Sequence, residues 1–243
     1  MHHPVKGLAD AIDAHGSDES TTGRIFHFLV PSNGWGAAAD SKDLKSLAPD
    51  ETKALKAWQR GICKGLTRTQ TKLAAQISAQ AERLWELSLV RLRIAEDQVR
   101  RDLHLWGQDE QQDATRSEVV TRDQVEKELL KNAEGVYLRL RTAMNAWNAL
   151  CYWPITAVGL LPDMDEYLAT MKDLLGVPKE GRKPRNLSPD QQQFGFDMSW
   201  NELDYVESLD RGLSERLPYA EVLEAHPWLE KANQIAEEQA FFH

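Results

Sequence analysis

The longest helical pattern in the chain fills residues 67–106, which read TRTQTKLAAQISAQAERLWELSLVRLRIAEDQVRRDLHLW. Thr67 and Thr69 are residue types that can cap the first turn of such a helix. Apolar residues then recur at alternating intervals of four and three, with the polar Glu96 as the one exception: Trp85, Leu89, Leu92, Val99, Leu103 and Trp106. This spacing puts them on one face of a helix, the first seam, and predicts that they belong to the core.

A second apolar row lies on a neighbouring face of the same helix. This second seam contains Leu73, Ile77, Leu84, Leu87 and Ile94. A helix with two apolar faces packs against more than one partner helix. The pattern therefore predicts a mainly α fold, built as an antiparallel bundle of long helices.

Helix start and stop signals recur through the rest of the chain. Pro49 begins a predicted helix through Ile62, and the capping box Thr121–Gln124 begins one that stops before Pro154. Met144, Trp147 and Cys151 lie on the apolar face of that helix and are predicted core residues. Further predicted helices begin at Asp163, which Gly176 ends, at Ser199 and at Pro227.

The expected organisation is one structural unit with several segments. Residues 1–23 are interpreted as a flexible lead-in, and 24–106 as a short β-strand near 24–30 followed by the long helix. Residues 107–120 are a polar connector, and 121–243 are helical with a basic loop at 177–198. The strand prediction rests on Ile25–Val30, an apolar and aromatic run stopped by Pro31.

Composition narrows the class of protein. The mean hydropathy is -0.54. The chain also has no apolar run near the roughly 20 residues that span a bilayer, so we exclude an integral membrane protein. The two cysteines, Cys63 and Cys151, are too few for a disulfide framework, and no segment has the pattern of a secretion signal. A cytoplasmic protein with reduced thiols is the expectation.

The net charge of -9 conceals a basic region. Residues 53–101 contain 11 basic and 4 acidic residues, and no acidic residue lies between Glu51 and Glu82. Six cations in this region are spaced three or four residues apart, and we call them the basic stripe: Lys53, Lys56, Arg60, Lys64, Arg68 and Lys72. On a continuous helix they would share one face and could follow DNA phosphates, although Gly61 and Gly65 are expected to interrupt it. The alternative is an ordinary solvated surface. Three cations of the predicted loop could add to the phosphate contact: Arg182, Lys183 and Arg185.

Other patterns favour structural roles over chemistry. Gly34–Ala39 fits the dinucleotide fingerprint G-x-G-x-x-A, but no second strand follows, so we interpret it as a glycine turn. The seven histidines show no metal-ligand spacing. Asp163, Asp165 and Glu166 could imitate a Mg²⁺ cluster, but helix capping accounts for them better. We expect no metal site and no catalytic residue.

Three stretches together resemble a known family. They are Phe26–Trp35 with the following Ala39–Lys42, the segment Met144–Pro154, and the segment Ile235–His243. They are similar to the long helical insertion of the large bacterial adenine-specific DNA methyltransferases, which include restriction–modification and phage-defence enzymes. In that family a Phe-His-Trp segment precedes a strand that ends in an Asn-Pro-Pro-Trp or Asn-Pro-Pro-Tyr motif. Phe242 and His243 match its beginning, but no Asn-Pro-Pro tripeptide occurs in the chain.

The resemblance implies a non-catalytic helical spacer of a DNA-modifying enzyme. Adenine N6 methylation with S-adenosylmethionine would belong to a catalytic core, in cis or in trans, while this segment contacts double-stranded DNA or docks. No cofactor and no catalytic residue is implied for this chain itself. The alternative is an independent helical protein–protein interaction module that does not bind DNA.

Overall fold

The computed structural model describes residues 25–100, 132, 134–178 and 214–241. Several sequence predictions lie outside the described residues: the lead-in 1–23, the connector 107–120, the caps at Thr121 and Ser199, nearly all of the loop 177–198, and Leu103 and Trp106. Val99 lies on a described helix, but its side chain is outside the described ones.

The described part of the chain is mainly helical, which confirms the predicted fold class. Its α-helices, in chain order, are α1 Lys42–Leu47, α2 Pro49–Ile62, α3 Arg68–Arg100, α4 Val136–Ala149, α5 Met164–Leu175, α6 Tyr219–Ala225 and α7 Pro227–Glu238. Short 3-10 helices span His27–Leu29, Ala37–Asp40 and Ile155–Leu160. Two-residue strands, β1 Val177–Pro178 and β2 Ser214–Glu215, pair antiparallel, with Val177 opposite Glu215.

The long helix α3 begins with a reciprocal cap. The Gln70 backbone N–H donates to Thr67 Oγ1 at 3.3 Å, and the Thr67 N–H donates to Gln70 Oε1 at 2.8 Å. Two of the amides that a helix start leaves unpaired are thereby satisfied. Of the two possible caps in the sequence, Thr67 is the one used.

The other predicted helix starts within the described residues are confirmed. Pro49 and Pro227 occupy the first positions of α2 and α7. Asp163 caps α5 by accepting the Glu166 N–H at 2.8 Å, and α5 ends at Gly176, whose φ of 93° suits glycine.

The core lies around α4. This helix packs against α3, α5 and α7, and α3 also contacts α5. Fully buried side chains at these contacts include Ile77 and Leu84 of α3, and Leu168 and Met171 of α5. The predicted contact between the long helix and the helix that contains Trp147 is therefore confirmed. Met144, Trp147 and Cys151 are half-buried and pack against this core.

The prediction that the first seam of α3 faces the core is wrong. Trp85, Leu89 and Leu92 are 47%, 39% and 43% exposed, whereas Leu84 and Leu87 of the second seam are buried. Successive helix residues are about 100° apart, so the turn of α3 that buries Leu84 directs Trp85 to a different side. Periodicity identified both faces, but the contacts with α4 and α5 determined which one is buried.

The strand predicted near residues 24–30 is also wrong. His27–Leu29 form a 3-10 turn, in which the Leu29 N–H donates to the Phe26 carbonyl at 3.0 Å. The segment is fastened by side chains instead of by a partner strand. Ser78 Oγ accepts the Phe26 N–H at 3.1 Å, and the buried Tyr167 hydroxyl donates to the Phe28 carbonyl at 2.6 Å. Side-chain hydrogen bonds can satisfy a backbone that has no ladder.

None of the helices in the described part of the chain combines the length and the apolar content that a bilayer crossing requires.

Leu84 and Trp85 offer a matched test of the orientation of α3. Leu84→Ala should cost about 2–5 kcal/mol of unfolding free energy because it leaves a cavity in the core. Trp85→Ala should cost about 1 kcal/mol or less, since that indole is half exposed. Urea denaturation followed by circular dichroism at the lowest workable protein concentration measures both, and a larger loss for Trp85→Ala would contradict the assignment.

Candidate functional site

The structure divides the basic stripe between two helices. Lys53, Lys56 and Arg60 lie on α2, Lys64 lies in the turn after it, and α3 begins with Arg68 and contains Lys72. The predicted interruption occurs at Gly65, whose φ is 94°, while Gly61 lies within the last turn of α2. The six cations are therefore placed by a helix–turn–helix corner and do not form a single helical face.

Five members of the stripe are exposed cations with no ion-pair partner among the described residues: Lys53, Arg60, Lys64, Arg68 and Lys72. Lys56 differs, because its Nζ contacts Asp40 Oδ1 at 2.5 Å. That hydrogen bond, together with the charge of Lys56, lowers the pKa of the Asp40 carboxyl. The carboxylate partly neutralises Lys56, so the other five are the better candidates for an anionic ligand.

Acidic side chains lie near both ends of this corner. Asp50 and Glu51 occupy the first turn of α2, where the helix dipole favours them. Asp165 accepts a hydrogen bond from Gln70 Nε2 at 2.7 Å, beside the start of α3. Repulsion from these carboxylates limits the useful surface to the middle of the stripe. The loop cations Arg182, Lys183 and Arg185 lie outside the described residues.

Five tryptophans lie in the core or pack against it and serve the fold. Their indole N–H groups donate to acceptors in other parts of the chain: Trp35 to the Trp147 carbonyl at 2.9 Å, Trp147 to Val30 at 2.9 Å, Trp58 to Pro162 at 2.7 Å, Trp153 to Ala157 at 2.9 Å, and Trp228 to Thr170 Oγ1 at 3.0 Å. Trp147, a predicted core residue, packs against the core, and so does Trp58. Trp106 lies outside the described residues.

Tyr167 extends the same aromatic cluster. Its ring centroid is 5.2 Å from that of Trp35 and 5.6 Å from that of Trp228. Complete burial, with a smaller contribution from nearby Cys151, raises the pKa of the Tyr167 hydroxyl well above its usual value. The hydroxyl therefore remains a proton donor to the Phe28 carbonyl.

The Gly34–Ala39 sequence forms a turn, as predicted, and this turn caps the end of α4. The Gly36 N–H donates to the Leu150 carbonyl at 2.9 Å, next to the bond from the Trp35 indole to Trp147. Gly36 has a φ of 65°, and a Cβ there would lie 3.2 Å from Leu55 Cδ1. The glycine is required by this close approach between chain segments.

Both cysteines and the two described histidines, His27 and His226, also occupy structural positions. Cys63 and Cys151 are free thiols, and burial raises the pKa of both, which disfavours the nucleophilic thiolate. His27 packs edge-on against Trp147, and His226 Nε2 lies 3.0 Å from Asp173 Oδ2. Within the described ranges, no three metal-binding side chains come together.

Sequence reasoning missed a buried cation. Arg139 of α4 is fully buried and donates to the Leu174 carbonyl at 2.7 Å, the Leu217 carbonyl at 2.9 Å and Glu134 Oε2 at 2.5 Å. Its position between Val136 and Leu140, on the buried face of the helix, was the available signal. Arg139 joins the end of α5 to the chain that enters α6, which is a structural role.

A scan against protein-family models finds no match to this sequence. Searches of curated proteins and of solved structures find no match either.

Replacing Lys56 tests the electrostatic account of Asp40. In Lys56→Gln, the pKa of Asp40 should rise towards the usual aspartate value, because the hydrogen bond and the positive charge are both lost. The interaction stabilises the fold above the ordinary pKa of aspartate and is lost as the pH falls through the lowered value. Carboxyl ¹³C NMR titration measures the pKa of Asp40, with Lys53→Gln as the control variant. An unchanged Asp40 in Lys56→Gln would contradict the account.

Replacing Trp35 tests the cap of α4. Trp35→Phe keeps an aromatic ring but leaves the Trp147 carbonyl without its donor, which should cost about 1–3 kcal/mol of unfolding free energy. The same replacement at the exposed Trp85 should cost less than about 0.5 kcal/mol. Equal costs in urea denaturation would show that the indole hydrogen bond contributes little.

Proposed function

We propose that this chain is a non-catalytic helical segment that contacts DNA phosphates on behalf of a DNA-modifying enzyme of the adenine N6 methyltransferase class, within bacterial restriction–modification or phage defence. The single observation that carries the contact is the set of five exposed cations at the α2–α3 corner, none of which has an ion-pair partner among the described residues. The link to methyltransferases is supported by the resemblance of Phe26–Trp35, Met144–Pro154 and Ile235–His243.

Charge and geometry support a phosphate contact in preference to base recognition. Lys53 and Arg60 are seven residues apart on α2 and therefore lie on the same side of that helix. Lys64 follows in the turn, with Arg68 at the beginning of α3. Point charges distributed along an exposed corner can neutralise successive phosphates, but they do not present the paired donors and acceptors that read base edges. Binding would be independent of sequence.

The overall charge of the chain sets an upper limit on the affinity. With a net charge of -9, the chain as a whole tends to repel a polyanion. An isolated segment would bind duplex DNA weakly and only at low salt. Useful affinity would come from attachment to a catalytic core that binds the same DNA, because linked contacts strengthen one another.

Methyl transfer would take place in that core. The core would bind S-adenosylmethionine and hold the flipped adenine, the arrangement used by base-modifying enzymes. This segment would contribute position along the duplex and a docking surface. Its buried indoles and Arg139 would hold the basic corner rigidly relative to the rest of the fold.

A second candidate function is an independent protein–protein interaction module. The observation in its favour is the exposed apolar row Trp85, Leu89 and Leu92. The genes beside this one discriminate between the two candidates. An adjoining reading frame with an Asn-Pro-Pro-Trp motif supports the methyltransferase segment, and its absence supports the independent module.

The triple replacement of Lys53, Arg60 and Lys64 by Gln tests the phosphate contact. Each lost contact should reduce the slope of log K against log salt by about 0.9 on duplex DNA, so the triple variant should lose up to about 2–3 units. Fluorescence anisotropy with a labelled duplex over a series of low salt concentrations provides the measurement. Two unrelated duplexes should bind equally.

The matched control removes the same charge elsewhere, through Gln at Lys42, Lys172 and Lys231 of α1, α5 and α7. It should leave the slope almost unchanged. The DNA proposal fails if the unaltered protein does not bind at low salt, or if the two triple variants behave alike while both remain folded by circular dichroism.

A further inference from the structure

A carboxylate lies within the part of the basic stripe that α2 provides. Along this helix, Lys56 follows Lys53 by three residues and precedes Arg60 by four, so the three cations adjoin on one part of the helix surface. Asp40, the last residue of a 3-10 helix, contacts Lys56 Nζ through Oδ1 at 2.5 Å. The carboxylate therefore occupies a position from which a DNA phosphate would contact Lys56.

Two helices hold Asp40 in this position. Lys56 of α2 donates to its side chain, and Lys45 of α1 donates from Nζ to its backbone carbonyl at 3.3 Å. The hydrogen bond and the charge of Lys56, with a smaller contribution from the charge of Lys45, lower the pKa of the Asp40 carboxyl. Asp40 is therefore an anion at neutral pH, as a phosphate is.

Exposure distinguishes Lys56 from the other five members of the stripe. Those five are exposed, whereas the Lys56 side chain is 33% exposed and that of its partner Asp40 is 63% exposed. The more exposed member of the pair is thus the carboxylate, which repels a phosphate that approaches from solvent. Between Lys53 and Arg60, the stripe has a neutral ion pair in place of a free cation.

We propose that Asp40 competes with DNA phosphate for Lys56 and thereby limits the number of phosphates that the basic stripe contacts. This inference rests on the proposed phosphate contact and concerns its regulation. The other cations of the stripe bind phosphate in the unaltered protein, and Lys56 joins them when the Asp40 carboxylate is neutralised. Exposed ion pairs contribute little to the stability of a fold, so the charge of Asp40 can be removed from a folded protein.

Asp40→Asn tests the competition in the full chain. The amide keeps the size of the side chain and removes its charge, while the bond from Lys45 to the backbone carbonyl is retained. Fluorescence anisotropy with a labelled duplex over a salt series should show that the slope of log K against log salt becomes steeper by about 0.9, the value of one added phosphate contact.

Asp43→Asn is the matched control. Asp43 is exposed on α1 and has no ion-pair partner among the described residues. Its replacement removes the same charge without releasing a cation, so the slope should remain that of the unaltered protein. Circular dichroism verifies that both variants are folded.

Replacement of Lys56 assigns the added contact. Lys56→Gln alone should leave the slope unchanged, because Lys56 contacts Asp40 in the unaltered protein. Combined with Asp40→Asn, it should abolish the increase. The inference is overturned, and the phosphate contact is retained, if the slope depends on Lys53, Arg60 and Lys64 while Asp40→Asn behaves like Asp43→Asn. If neither the unaltered protein nor Asp40→Asn binds the duplex at low salt, both proposals are wrong.

Discussion

The buried indole of Trp35 is the contact on which the rest of the structure depends. It donates to the Trp147 carbonyl in the last turn of α4, where a helix leaves its carbonyl groups without intrahelical partners, and Gly36 satisfies Leu150 beside it. Trp147 in turn donates to the Val30 carbonyl. These bonds join the end of the central helix to an N-terminal segment that has no ladder, and they explain how a short irregular stretch can occupy one defined place.

The same core separates the two candidate surfaces. Arg139 and the aromatic cluster occupy the interior, whereas the exposed cations of the basic stripe and the apolar row Trp85, Leu89 and Leu92 lie on the surface. Trp85 follows Lys72 by 13 positions on α3, which corresponds to about 20 Å along the helix axis. Phosphate contact at the start of α3 and a protein–protein contact at Trp85, Leu89 and Leu92 are therefore compatible, and each can be altered without the other.

The predictions that held within the described residues rest on local chemistry. Thr67 and Asp163 begin helices because their side chains accept hydrogen bonds from amides three residues later. Pro49 and Pro227 suit the first helical position because proline has no N–H and its φ is already helical. The predictions that failed required knowledge of distant neighbours. Ile25–Val30 has strand-forming side chains, but Tyr167 and Ser78 fasten its backbone from other helices. An alternating or aromatic run cannot reveal whether a partner strand exists.

By itself, the sequence determined the helix starts at Thr67, Pro49, Asp163 and Pro227 and the glycine turn within Gly34–Ala39, because each depends on side chains within a few residues of one another. Only the tertiary structure decided three features. They are the identity of the buried face of α3, the ion pair between Lys56 and Asp40, and the burial of Arg139. Helical periodicity describes the faces of an isolated helix, whereas burial depends on which segments pack against it. Those contacts join residues as far apart as Val30 and Trp147, which no local pattern brings together.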